Sequence, residues 1–153
     1  MNADDIRNIP AGRELDILIA TKLFGWRWFQ YVRETPLGTT ERLVLLPADC
    51  KLSGYIPVTI GPEDAHVQQE ETRHYSTDRA ACGAVIEWAS DHGIYVTIYH
   101  CLDLDVVCKC WSHDDPENEI ITSDHNESAA ICKAMLICAA ELDTANTEAA
   151  HGL

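Results

Sequence analysis

Residues 94–111 read Ile94-Tyr-Val-Thr-Ile-Tyr-His-Cys-Leu102, Asp103-Leu-Asp105, Val106-Val-Cys-Lys-Cys-Trp111. Two runs rich in β-branched and aromatic residues flank a short acidic turn, the pattern of an antiparallel hairpin. Helical periodicity lies on either side. Over residues 77–92, Ala81, Val85, Trp88 and Ala89 make a buried stripe, Ser76 and Asp78 suit the N-terminus, and Gly93 ends the helix. Over residues 126–142, Ala130, Ile131, Ala134, Met135, Ile137 and Cys138 form a wide apolar face, with Asp124 and Glu127 as a capping pair. An acidic turn at 112–118 and a short strand at 119–122 fill the gap.

The N-terminal part predicts a helix over residues 12–24, on Leu15, Leu18, Ile19 and Leu23, stopped by Gly25. Residues 26–33 predict an aromatic strand, followed by a Pro36-Leu-Gly38 turn and an apolar run at 43–46. Residues 47–74 form an irregular loop punctuated by Pro and Gly, with an edge strand at 55–60 and a polar loop at 63–73. The order is that of an α+β fold, a layered α/β sandwich with a mainly antiparallel sheet covered by three helices. One domain is expected over residues 1–142, with a flexible tail at 143–153.

Charge narrows the partners. The 153-residue chain carries 11 Lys and Arg against 25 Asp and Glu, a net charge of −14. Residues 1–51 are neutral, and the whole acidic excess lies in residues 52–153. Nucleic-acid backbone and anionic membranes need Lys and Arg, so neither is an expected partner. No run reaches the roughly 18 apolar residues of a membrane helix. The acidic opening Met-Asn-Ala-Asp-Asp5 is unlike a signal peptide, which points to the cytoplasm. Seven cysteines, several inside apolar runs, fit buried reduced thiols better than a disulfide framework.

Three stretches carry a resemblance. Gly12-Arg-Glu-Leu-Asp-Ile-Leu-Ile-Ala20 with Leu23-Phe-Gly-Trp26, Tyr75-Ser-Thr-Asp78 with Ala80-Ala81, and Ala130-Ile-Cys-Lys-Ala134 resemble, in that order, the opening helix, central motif and closing helix of the phage ABA sandwich domain family. The irregular region 47–74 is longer than that pattern. The resemblance implies a small phage-encoded α/β sandwich in an infected bacterial host and implies no reaction.

Several residue groups have two readings. The Tyr75–Asp78 turn is either a helix cap, with Tyr75 packed, or an anion or ribose site offering Ser76, Thr77 and Asp78. Arg13 either reaches a phosphate or pins its helix through a salt bridge. Trp26 and Trp28 share one strand face and Phe29 and Tyr31 the other, one set packing in the core and the other free to stack a base or meet a subunit. Cys101, Cys108, Cys110 and His113 lack a known zinc spacing and read as buried thiols in a hairpin. The pairs Asp103/Asp105 and Asp114/Asp115 read as solvated turns rather than Mg²⁺ or Ca²⁺ ligands. No nucleophile elbow, P-loop or dinucleotide fingerprint is present.

The sequence therefore suggests a non-enzymatic protein without cofactor or metal. Its expected ligand is a small nucleotide such as a cyclic nucleotide or ADP-ribose derivative, sequestered as an anti-defence sponge by a homo-oligomer. The expected pocket draws on Arg13, Trp26, Trp28, Arg73, Tyr75, Ser76, Thr77 and Asp78. The rival is an acidic, DNA-mimicking inhibitor of a host protein. A mimic needs acids in rows on an exposed face, whereas a sponge needs basic, aromatic and hydroxyl groups to converge.

Overall fold

The computed structural model describes residues 1–59 and 73–151. The element order is α1 (Ala3–Asn8), α2 (Arg13–Leu18) running into a π-helical turn (Ile19–Leu23), β1 (Arg27–Thr35), β2 (Gly38–Leu46) and β3 (Tyr55–Pro57). Then come α3 (Arg79–Asp91), β4 (Ile94–His100), β5 (Val106–Ser112), β6 (Asp115–Asp124) and α4 (Glu127–His151). The fold is α+β, with antiparallel pairing in place of the one expected sheet divided between two three-stranded sheets, β2-β1-β3 and β4-β5-β6. The chain splits into two compact units. One unit joins Met1–Leu23 to Arg73–Leu153; the other is Phe24–Thr72.

The larger unit is built on α4. Residues 128–139 of this helix are buried on every side, with Ala and Cys at many positions that let neighbouring backbones approach. On one side lies the β4–β5–β6 sheet. Its inward residues Val106, Cys108 and Cys110 are buried, and the buried Thr122 hydroxyl donates to the Ala130 carbonyl at 2.6 Å. Helices α3, α2 and α1 and the π-helical turn also pack on α4. The expected 94–111 hairpin is present, with Ile94 opposite Ser112 and His100 opposite Val106. The acidic turn at 112–118 is shorter than expected, because β6 starts at Asp115 and pairs with Ser112.

Helix boundaries shift where side chains find better bonds. Asn126 caps α4, its Oδ1 accepting from the backbone N–H of Ser128 (2.9 Å) and Ala129 (3.3 Å). Asp124, expected in that role, instead takes the Asn126 N–H and the Lys133 ammonium, at 2.9 and 2.7 Å. α4 continues past 142 to His151 through the segment expected to be a flexible tail. That segment holds three alanines, the strongest helix former, and Glu148, and Thr144 and Thr147 donate to carbonyls four residues back. α1 was not expected; a reciprocal Asn2–Asp5 capping box starts it.

In the smaller unit, β1 and β2 join through a two-residue turn, Thr35 facing Gly38. The edge strand expected at 55–60 is confined to Tyr55–Pro57 among the described residues, and most of the 63–73 loop lies outside them. Tyr55 stacks on Tyr31 across the pair, centroids 4.8 Å apart. Gly54 is tight against it, because a Cβ there would meet the Tyr31 ring at 3.4 Å and φ is +87°. Phe29 and Leu45 are buried.

Lys133 is a charge inside the larger unit, with a side chain 5% exposed. Burial by itself raises the Asp124 pKa, but the Lys133 ammonium and the Asn126 N–H outweigh it and hold the carboxyl below its ordinary value. Asp124→Ala strands the ammonium and is expected to cost about 3–5 kcal/mol at neutral pH, read by urea unfolding. The contribution of Asp124 is complete above the unfolded carboxylate pKa of about 3.9 and disappears as pH falls through the lower folded value. The gap between wild type and variant therefore closes on acidification.

Candidate functional site

The Tyr75–Asp78 turn is a fastening between distant parts of the larger unit. The Ser76 N–H donates to Asp16 Oδ1 at 2.7 Å. Its hydroxyl accepts from the Gly12 N–H at 2.8 Å and lies 3.3 Å from the Gly12 carbonyl. Ser76, Asp16 and Tyr75 are all buried. Ser76 therefore does not cap α3. Asp78 does, its Oδ1 accepting from the Ala80 N–H at 2.9 Å.

The residues expected to form a pocket divide accordingly. Arg13 and Arg73 are exposed near this fastening, Arg13 following Gly12 directly. Thr77 and Asp78 are exposed, whereas Tyr75 and Ser76 are enclosed and already bonded. Burial pushes the Tyr75 hydroxyl up, against a smaller downward pull from Arg73. Trp26 and Trp28 are half-buried and belong to the other unit, Trp28 facing Leu45 across the β1–β2 pair. The zinc constellation does not assemble either. Cys108 and Cys110 face the helices, Cys101 is exposed, and no group of three metal-ligating side chains occurs among the described residues.

A different surface brings aromatic and charged groups together. Register places Tyr95 opposite Trp111, Thr97 opposite Lys109 and Tyr99 opposite Val107, on the sheet face away from α4. Tyr95 and Tyr99 are about half exposed, at 51% and 49%. The Tyr95 and Trp111 rings stack with centroids 5.9 Å apart. The Tyr95 hydroxyl lies 3.3 Å from His113 Nδ1. Lys109 Nζ sits 5.5 Å from the Tyr99 ring centroid and 3.4 Å from Glu119 on β6. In a chain of net charge −14, one cation and one anion make these central positions locally neutral. The aromatic platform expected at Trp26 and Trp28 lies in the other unit, whereas alternation along residues 94–111 is the sequence signal of this one.

No family model, curated protein or solved structure matches the chain. No helix among the described residues is long and apolar enough to cross a membrane.

The fastening has a measurable signature. Burial raises the Asp16 pKa above 3.8, the two bonds from Ser76 and the charge of His74 countering only part of it. The folded state thus holds the Asp16 proton more tightly than the unfolded chain, and its contribution to stability falls as pH rises through the raised folded value. Asp16→Asn keeps an acceptor for Ser76 and removes this slope, so its stability relative to wild type improves from about pH 4 upward. Asp16→Ala leaves a buried N–H unbonded and is expected to cost about 1–3 kcal/mol. Urea titrations at several pH values read both effects.

Proposed function

We propose that the protein is a non-enzymatic binder of a small nucleotide-type ligand, its base stacked on the outward face of β4 and β5. The stacked Tyr95–Trp111 pair carries this reading, because base faces pair with aromatic rings whatever the base. Lys109 offers a cation for one phosphate on exchanging Glu119, and His113 a polar edge beside Tyr95. The acidic remainder disfavours a polynucleotide while leaving room for one or two phosphates at a locally neutral face. The resemblance to a phage domain family supplies the setting, sequestration of a nucleotide signal made by bacterial defence. A homo-oligomer belongs to the same reading, since a base stacked on a flat sheet leaves its second face for a ring from another copy.

A second reading has its own observation. Asp115, Glu117 and Glu119 follow one another along the edge strand β6, all exposed, where its pairing with β5 is irregular. Such a row suits an acidic inhibitor docking to a basic host protein. The same row also guards a sheet edge against pairing, which requires no partner.

Titration with cyclic nucleotides and ADP-ribose derivatives, followed by tryptophan fluorescence and native mass spectrometry, tests the first reading. Bound ligand should be recovered unmodified. Trp111→Ala should weaken binding by about 1–3 kcal/mol, roughly 5- to 150-fold. Asp115→Asn with Glu117→Gln should leave it intact. Silence across the panel from a folded protein overturns the ligand reading, and turnover makes the protein an enzyme.

A further inference from the structure

The helix-facing side of the same sheet holds a pair of thiols. Cys110 on β5 and Cys138 on α4 bring their sulfurs within 2.9 Å, and both are unbridged. Cys110 is fully enclosed and also lies 3.9 Å from the Ala134 carbonyl. Cys138 lines a cavity of about 340 Å³ between α4 and the β5–β6 hairpin. Ile94, Ile120 and Leu142 give this cavity an apolar wall, and Asp114, Asp115 and Glu141 an acidic one. A small neutral molecule can enter such a space, whereas an anion is repelled by the three carboxylates.

We propose that Cys138 and Cys110 are an oxidisable dithiol, a modification site whose co-substrate is hydrogen peroxide entering through this cavity. The Cys138 sulfur, as thiolate, attacks one peroxide oxygen. The O–O bond breaks, the departing hydroxide takes up a proton to become water, and Cys138 becomes a sulfenic acid. Cys110 then gives up its proton as its sulfur attacks the Cys138 sulfur. The S–O bond breaks, a second water leaves, and an S–S bond joins β5 to α4. The two thiols lose two electrons and the peroxide gains them.

The order of attack follows from position. Cys138 alone of the pair lines the cavity. The hydrogen bond with Cys138, then burial, push the Cys110 thiol far up, so Cys110 stays protonated until the second step. Cys82 on α3 and Cys132 on α4 form another hydrogen-bonded buried pair, which serves as an internal comparison.

Treating the reduced protein with hydrogen peroxide, blocking remaining thiols with iodoacetamide and mapping peptides tests the proposal. The expected product is a Cys110–Cys138 link, with a mass loss of two hydrogens, the other five of the seven cysteines still alkylated, and a raised melting temperature. In Cys110→Ser, a dicarbonyl probe should label Cys138 as the sulfenic acid. Alkylation of all seven cysteines after peroxide, or a link at Cys82–Cys132 instead, overturns it. The wild-type map is decisive by itself if the variant fails to fold.

Discussion

A helix buried on all sides must find a complementary surface in every direction, and residues 128–139 of α4 impose that condition on the larger unit. The sheet supplies one surface, while α3, α2, α1 and the π-helical turn supply others. Small side chains set how closely these elements approach. Wherever a polar group enters, a partner is fixed: Asp124 for Lys133, and the Ala130 carbonyl for Thr122. The thiols of Cys82, Cys110, Cys132 and Cys138 occupy the same packed layers as small apolar side chains, and all seven cysteines are unbridged.

The two faces of the β4–β5–β6 sheet differ in chemistry because strand alternation separates them. Inward lie Val106, Cys108 and Cys110; outward lie Val107, Lys109 and Trp111. The inward face meets α4 and bears the dithiol, and the outward face bears the stacked rings. Acidic groups gather on the β5–β6 hairpin and the exposed half of α4, so neither face carries the chain's excess charge at its centre.

Period and turn chemistry made the hairpin, α3 and the buried half of α4 readable from the sequence, because local pattern and tertiary burial agree there. What escaped was decided by contacts between distant residues. Ser76 looks like a cap one turn before Ala80, yet its N–H serves Asp16, sixty positions earlier. Asp124 looks like a cap and serves Lys133. The division into two sheets leaves no local mark, since both share the same strand pattern. Of the expected site residues, Trp26 and Trp28 stand out by aromatic content, which does not reveal which ring is exposed. Tyr95 and Trp111 instead lie on the face of β4 and β5 that α4 leaves uncovered.

The larger unit is discontinuous in sequence, and this affects how it is made. Residues 1–23 emerge from the ribosome well before Ser76, which fastens Gly12 and Asp16, and much earlier than α4, against which α1 and α2 pack. At about 5–20 residues per second they wait several seconds for their partners. Unit Phe24–Thr72, by contrast, is contiguous, and its hairpin can close as soon as β2 is synthesised. Order of synthesis and order of assembly are therefore opposed: residues 1–23 are made before Phe24–Thr72 yet find their place after it.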